Sequence, residues 1–341
     1  MNFFQILSDI EKVDPEVYER LDSRRAIFKH MSGLGQKMTA AALPLAVGAI
    51  FNKAYGQTAA SLGVNDVLNF ALRLEYLESH FYQQRTTLTG ISQQNRDALS
   101  LIATDEANHV NFLRTTITAL GGTPIADPTA AAFDFTGGKG NNAGAFANYR
   151  TNAATYLALA QSFEDTGVRA YKGAAPLTNV MANKTVLTAA LNIHSVEARH
   201  ASHLRAMRRA GAASTTPSQG VPATPYTAAP KSWISGNDGG GAAAPTTAPI
   251  YGAGNDTGAA TYGASGANGT TAGVTFLTET NVSQGGITLS ATTSAAFASI
   301  PAAALTAALT EAFDEGLDVK TVATIANLFV VTGNNLFSVY L

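Results

Sequence analysis

The sequence predicts an all-α fold. A four-helix bundle with one long inter-helix connection spans residues 60–211; an irregular Gly/Ala/Thr-rich extension (212–273) and a small C-terminal α+β region (274–341) follow it. In the latter a strand or two is expected in 274–290 and helices at about 301–314 and 318–331, the second capped by Asp318. Two observations predict the bundle. From Val64 to about Arg209 the chain reads as four long helical stretches, broken only where turn residues gather. These breaks fall at Thr89-Gly90, Gly121-Gly122-Thr123-Pro124, Gly137 to Gly144, and Gly173 to Pro176. The second observation is that the four stretches are two copies of one pattern.

In the first stretch Leu68 is followed by Ala71, Glu75 and Tyr82; in the third, Leu157 is followed by Ala160, Glu164 and Tyr171, at identical offsets of 3, 7 and 14. The second and fourth repeat each other as well. Ile102, Glu106, His109, Leu113 and Arg114 match Ile193, Glu197, His200, Leu204 and Arg205 at every offset. Glu75 to Glu106 is 31 positions and Glu164 to Glu197 is 33, so the halves differ by two linker residues. Chance does not readily preserve such a register twice.

On an α-helix, residues three apart are neighbours, with Cβ atoms about 5–6 Å apart. Glu106 with His109, and Glu197 with His200, can therefore each grip one ion. Ile102 and Leu113 flank the first pair at one-turn spacing, which puts the Glu-x-x-His stripes on the core-facing side. Glu75 and Glu164 lie on core stripes too, one and two turns after Ala71/Leu68 and Ala160/Leu157. Four carboxylates buried without countercharge are costly, each unpaired ion by several kcal/mol. Protons could relieve the charge, but two divalent cations neutralise all four at once. The oxygen-rich donor set with two imidazoles suits iron or manganese better than zinc or copper.

One Glu from each of two helices plus Glu-x-x-His from each of the other two resembles the ligand set of the ferritin-like superfamily of di-iron and di-manganese carboxylate proteins. Within it, Leu74-Glu75-Tyr76-Leu77-Glu78 and Glu311-Ala312-Phe313-Asp314-Glu315 are similar to the bacterial relatives of the plant desiccation-related proteins. The resemblance implies a ferritin-like bundle with Glu75, Glu106, His109, Glu164, Glu197 and His200 as ligands to two metal ions, Fe or Mn. It also implies that Tyr82 and Tyr171 serve as hydrogen-bond donors near the ligands or as radical-accessible side chains in catalysis. The main rival is a bundle that has lost its metal.

Neighbouring residues fail the symmetry test. Glu78, one turn after Glu75, is a candidate seventh ligand, but its repeat counterpart is Gly167; Asp105 is matched by Val196 and is expected to orient a neighbour or face water. His80, His194 and His203 have no histidine counterparts and read as surface or packing residues. Arg114 and Arg205 recur and read as helix-end or interhelical ion-pair partners. The run Gly137-Gly138-Lys139-Gly140 lacks the context of a phosphate loop and reads as a linker.

Composition narrows the partners. Charged residues are only 13% and the net charge is −2, without the clustered Lys and Arg of a nucleic-acid surface. No cysteine is present, which excludes disulfides, thiolate metal sites and thiol nucleophiles. In the N-terminal segment (1–56), Ser23-Arg24-Arg25-Ala26-Ile27-Phe28-Lys29 resembles a twin-arginine export signal. An apolar run from Ala40 to Phe51 follows, too short to span a bilayer, and Ala54-Tyr55-Gly56 is the best cleavage candidate, though a poor one. These features predict an exported protein of the periplasm, envelope or exterior, with no transmembrane span. The expected function is reaction of the dinuclear centre with O2 or peroxide in oxidative or desiccation stress, as a ferroxidase or catalase-like oxidoreductase if it turns over. Metal storage, or a homo-oligomer or structural self-assembly through the C-terminal region, are the alternatives.

Overall fold

The computed structural model describes residues 63–214, 248–251, 260–261, 275–284, 287–288, 309–310 and 312–341. The twin-arginine motif, the apolar run and most of the low-complexity extension lie outside these residues. Four long helices carry the fold: α1 (Val64–Gln83), α2 (Gln93–Ala119), α3 (Ala153–Ala174) and α4 (Lys184–Ala210). Three of them start on a side-chain cap. Ser92 accepts from the Asn95 amide at 3.2 Å, Asn152 from Thr155 at 3.1 Å and Asn183 from Val186 at 3.1 Å, each satisfying an amide with no partner inside the helix. Gly211, at φ +89°, turns the chain out of α4.

Hydrogen bonds between helices fix their directions. Tyr76 meets Arg114 and Arg85 meets Ser100, so α1 and α2 are antiparallel. Asp165 meets Arg205 and Gln161 meets Arg208, so α3 and α4 are antiparallel. Tyr82 reaches Glu164 and Tyr171 reaches Glu75, so α1 and α3 also oppose each other. The second connection must therefore be a crossover along the bundle, as its predicted length requires. It runs beside α1, where Asn69 holds Thr123 and Ile125, and His80 holds Asp127 at 2.7 Å. In its glycine-rich turn Asp134 accepts the amides of Thr136, Gly140 and Asn142. Those amides fold the turn around a carboxylate of the chain itself.

Every residue of α3 from Tyr156 to Tyr171 is buried, Gln161, Asp165 and Arg169 included. A helix covered on all sides needs more than three bundle partners, and the C-terminal region supplies the rest. Helix α5 (Val319–Asn327) starts on Asp318, which accepts from the Thr321 amide at 3.0 Å, as the sequence suggests. The expected helix 318–331 stops early. Phe329 and Val331 turn their backbone to the crossover, bonding Asp134 at 2.8 Å and Ala132 at 3.0 Å, and Phe329 is fully buried. The other expected helix, 301–314, does not reach its predicted end, because residues 312–314 are turn and extended chain. The expected strands are two-residue pairs: Ala260–Thr261 with Thr275–Phe276, and Ser283–Gln284 with Ile287–Thr288.

The extension holds one surprise. Ala248–Tyr251 forms a helical turn whose Ile250 and Tyr251 are buried, where composition suggested an unpacked segment. The reason is electrostatic. Arg169 is 0% exposed on α3; it donates to the carbonyls of Ile250 and Glu315, both at 2.8 Å, and lies 2.6 Å from the Glu279 carboxylate. A buried guanidinium needs such acceptors, and the C-terminal chain provides these three. Gly173 and Gly316 let the two backbones touch, since a Cβ on Gly173 would overlap the Leu317 carbonyl.

Candidate metal centre

The four bundle helices bring Glu75, Glu106, His109, Glu164, Glu197 and His200 to one place in the interior. All four glutamates are 0% exposed, and His109 and His200 are buried. Glu75, Glu106, His109 and Glu197 offer atoms mutually within 4.8 Å, as do Glu106, Glu164 and His200. Glu106 belongs to both groups: its Oε2 lies 3.2 Å from His109 Nδ1 and its Oε1 lies 3.0 Å from His200 Nδ1.

One nitrogen cannot serve every oxygen here. His109 Nδ1 faces Glu75 at 3.3 Å, Glu106 at 3.2 Å and Glu197 at 3.5 Å, and has at most one proton to give. Glu75 Oε2, Glu106 Oε1 and both Glu197 oxygens are buried without a hydrogen bond. Orphaned carboxylate oxygens ringed by imidazole nitrogens are a donor set for a cation, and the residues fit the group that the sequence implies.

Around this cluster the fold supplies orienting bonds. Tyr82 donates to Glu164 and Tyr171 donates to Glu75, so each tyrosine serves the opposite half. Burial, then the nearby glutamate, raises both phenols well above their ordinary range, which keeps them as donors. Asp105 takes the role of orienting a neighbour: its carboxylate lies 3.1 Å from His200 Nε2, so that imidazole is held from both edges. Val196, its counterpart, offers His109 nothing comparable. Glu78 is buried beside the cluster, and burial and then Glu106 push its carboxyl well above the usual range; it does not belong to either ligand group. His80 pairs with Asp127, and His194 Nδ1 lies 2.8 Å from the Val168 carbonyl.

The repeat holds two features whose full meaning only the structure gives: the partners of the recurring arginines and the role of Gly167. Arg205 meets Asp165 in a buried bidentate pair at 2.7 and 2.5 Å, and Arg114 meets the Tyr76 hydroxyl. Asp165 and Tyr76 both directly follow the glutamate of their half, so register alone pointed to them. Arg205 is thus the expected interhelical ion pair, whereas Arg114 hydrogen-bonds a neutral partner. The second feature is Gly167, the counterpart of Glu78. A Cβ there would overlap the Glu197 carboxylate, so one half carries a side chain where the other leaves room for a facing ligand. Gly167→Ala is expected to displace Glu197 and weaken metal binding about tenfold or more while the bundle still folds. Metal titration of the variant beside its circular dichroism checks this, and wild-type affinity would refute it.

Residues 63–210 match a family model described as ferritin-like domain. No curated protein and no solved structure gives a significant match. The bundle has a ferritin-like fold, its buried Glu/His cluster is compatible with a dimetal site, and among the described residues no helix is long and apolar enough to cross a membrane.

Proposed function

We propose that the six side chains hold two iron or manganese ions and that the protein is a redox protein acting on O2 or peroxide. The observation that carries this reading is the set of orphaned carboxylate oxygens facing two imidazole Nδ1 atoms. When bound, such ions supply changes of oxidation state and open coordination positions for the oxidant. The chain supplies the rest. Glu106 spans the two halves, Tyr82 and Tyr171 fix Glu164 and Glu75, and the buried aromatic and aliphatic packing keeps bulk water away.

Without metal, protons hold the cluster together. Burial alone would lower the imidazole of His109, yet Glu75 and Glu106 raise it to about 10. His200 likewise rises to about 11, against burial, through Glu106 and Glu164. Burial and Glu164 push Glu106 up to about 7, and burial, with Glu106 beside it, raises Glu197 well above the usual carboxylate range. Burial also works to raise Glu75, but the charge and hydrogen bond of His109 overcome it and leave Glu75 below its ordinary value.

Metal uptake near pH 7.5 must therefore release protons, because imidazole and carboxylate bind ions in their unprotonated forms. The stability contributed by the raised groups is fully present below their ordinary values, 4.5 for Glu106 and 6.5 for the histidines. It is lost as pH climbs through about 7, about 10 and about 11. The metal-free protein is expected to melt at progressively lower temperature from pH 5 to pH 10, while metal affinity grows over the same span. Calorimetry in buffers of different ionisation enthalpy counts the protons; heats independent of buffer would contradict the protonated cluster.

The resemblance to the bacterial relatives of desiccation-related proteins supports a role in oxidative or drying stress, and Arg24-Arg25 with a cysteine-free chain supports twin-arginine export to the periplasm, envelope or exterior. Replacing both arginines by lysine should trap the protein in the cytoplasm. Elemental analysis of protein made through its own export route, followed by O2 and peroxide consumption, tests the function. Two Fe or Mn per chain with turnover supports it; tightly held metal without turnover favours storage or a structural role.

A further inference from the structure

Beside the cluster, at the end of the bundle where α1 begins and α3 ends, lies a cavity of about 40 Å³. Val67, Ala71 and Leu74 of α1, Ala170 and Tyr171 of α3, and Val322 of α5 are among its walls. Its whole lining is apolar side chains and glycine except for the Tyr171 hydroxyl, and that hydroxyl is committed to Glu75. Ala71 lies one turn before Glu75, and Tyr171 both lines the cavity and donates to that carboxylate.

The repeat explains why space is left among these residues. Val67, Leu74 and Ala170 correspond, by the offset that relates Glu75 to Glu164, to Tyr156, Phe163 and Phe81. Those three rings fill the equivalent space beside Tyr82: Phe81 stacks on Tyr156 at 4.5 Å and meets Phe163 edge-on at 5.0 Å. One flank of the cluster is therefore packed solid with aromatics. On the other, the same positions carry small residues and leave a space that the C-terminal chain, through Leu317 and Val322, walls rather than fills.

We propose that this cavity binds a small apolar gas molecule, dioxygen in the working protein, next to the Tyr171–Glu75 edge of the centre. Volume and chemistry select the guest. The cavity is several times the roughly 10–15 Å³ that one water needs, but water requires two or more polar partners and the lining side chains offer only the Tyr171 hydroxyl, which donates to Glu75. It is well short of the roughly 150 Å³ that accepts benzene in an apolar protein cavity, so organic substrates are too large. Dioxygen and xenon fit. This deepens the O2 reading above and rests on it for the identity of the natural guest, but the binding itself does not require metal.

The test uses the metal-free full chain under xenon and, separately, under dioxygen pressure, followed by NMR of methyl and aromatic-ring groups. Saturable xenon shifts and paramagnetic broadening by dioxygen are expected at Val67, Leu74, Ala170 and Val322, and not in the Phe81–Tyr156–Phe163 cluster. Ala170→Val and Val322→Ile fill the space from two different elements. Each is expected to weaken xenon binding about tenfold, as added methyl groups compete for the volume, with metal stoichiometry unchanged; if one variant fails to fold, the other decides. Absent shifts, equal shifts at both ends, or xenon affinity unchanged in a folded variant would overturn the proposal. Xenon binding in a protein whose metal-loaded form ignores O2 would keep the cavity and overturn the function. O2 turnover with no gas bound here would do the reverse.

Discussion

Glu106→Ala is expected to leave the purified protein with no more than trace metal, whereas His109→Ala should keep roughly half. The difference follows from geometry. The two oxygens of Glu106 lie 3.2 Å from one imidazole Nδ1 and 3.0 Å from the other, and Glu106 alone belongs to both ligand groups. Deleting it opens both positions at once, while deleting His109 leaves Glu106, Glu164 and His200 together. Loss of metal through misfolding has a separate signature. Glu106→Gln keeps the shape and, because burial and Glu164 already push the Glu106 carboxyl up to about 7, its metal-free form should melt close to metal-free wild type at pH 6 while still failing to hold metal. Elemental analysis and thermal melts of the three variants check the prediction. Equal metal loss in Glu106→Ala and His109→Ala would deny the bridging position of Glu106.

Arg205→Ala is expected to destabilise the protein by about 3–5 kcal/mol, the range for breaking one side of a buried ion pair. Asp165 is 0% exposed and takes two bonds from Arg205, at 2.7 and 2.5 Å. Without the guanidinium its hydrogen bonds among the described residues come from the Tyr251 hydroxyl at 2.8 Å and the Gln161 amide at 3.4 Å, neither of which carries a charge. The repeat supplies the control. Arg114→Ala removes a bond to the neutral Tyr76 hydroxyl and strands no charge, so its cost should be far smaller. Replacing both partners, Asp165→Leu with Arg205→Met, should recover much of the loss. Denaturant unfolding of the four proteins decides; equal costs for Arg205→Ala and Arg114→Ala would show that the Asp165 charge does not dominate.

The bundle and its six inward-facing side chains were legible because a register repeated twice constrains more than propensity does. Glu75 and Glu164, Glu106 and Glu197, His109 and His200 each occur at matched offsets, and a helical period converts offsets into faces. Caps told the same story, with Asp318 the clearest. What stayed hidden depends on contacts between distant segments. Nothing local announces that Tyr251, in a stretch of alanine, glycine and threonine, will reach Asp165 on α3, or that Arg169 will draw in Glu279 and Glu315. The early end of α5 at Asn327 has the same origin, since the crossover competes for the backbone of Phe329. Gly167 was hidden differently: its role is the space it leaves for Glu197, and an absent side chain carries no pattern. Broken symmetry, read against the repeat, was the available signal for Gly167, for Asp165 and for the aliphatic residues that stand where the other half carries the Phe81 cluster.

The most direct examination is anomalous diffraction at the iron and manganese edges from crystals of natively exported protein. The account requires two peaks roughly 3.5–4 Å apart, with Glu106 between them and one imidazole Nδ1 on each. Crystals with no anomalous density there, or with a lone zinc while the glutamates and histidines pair among themselves, would contradict it.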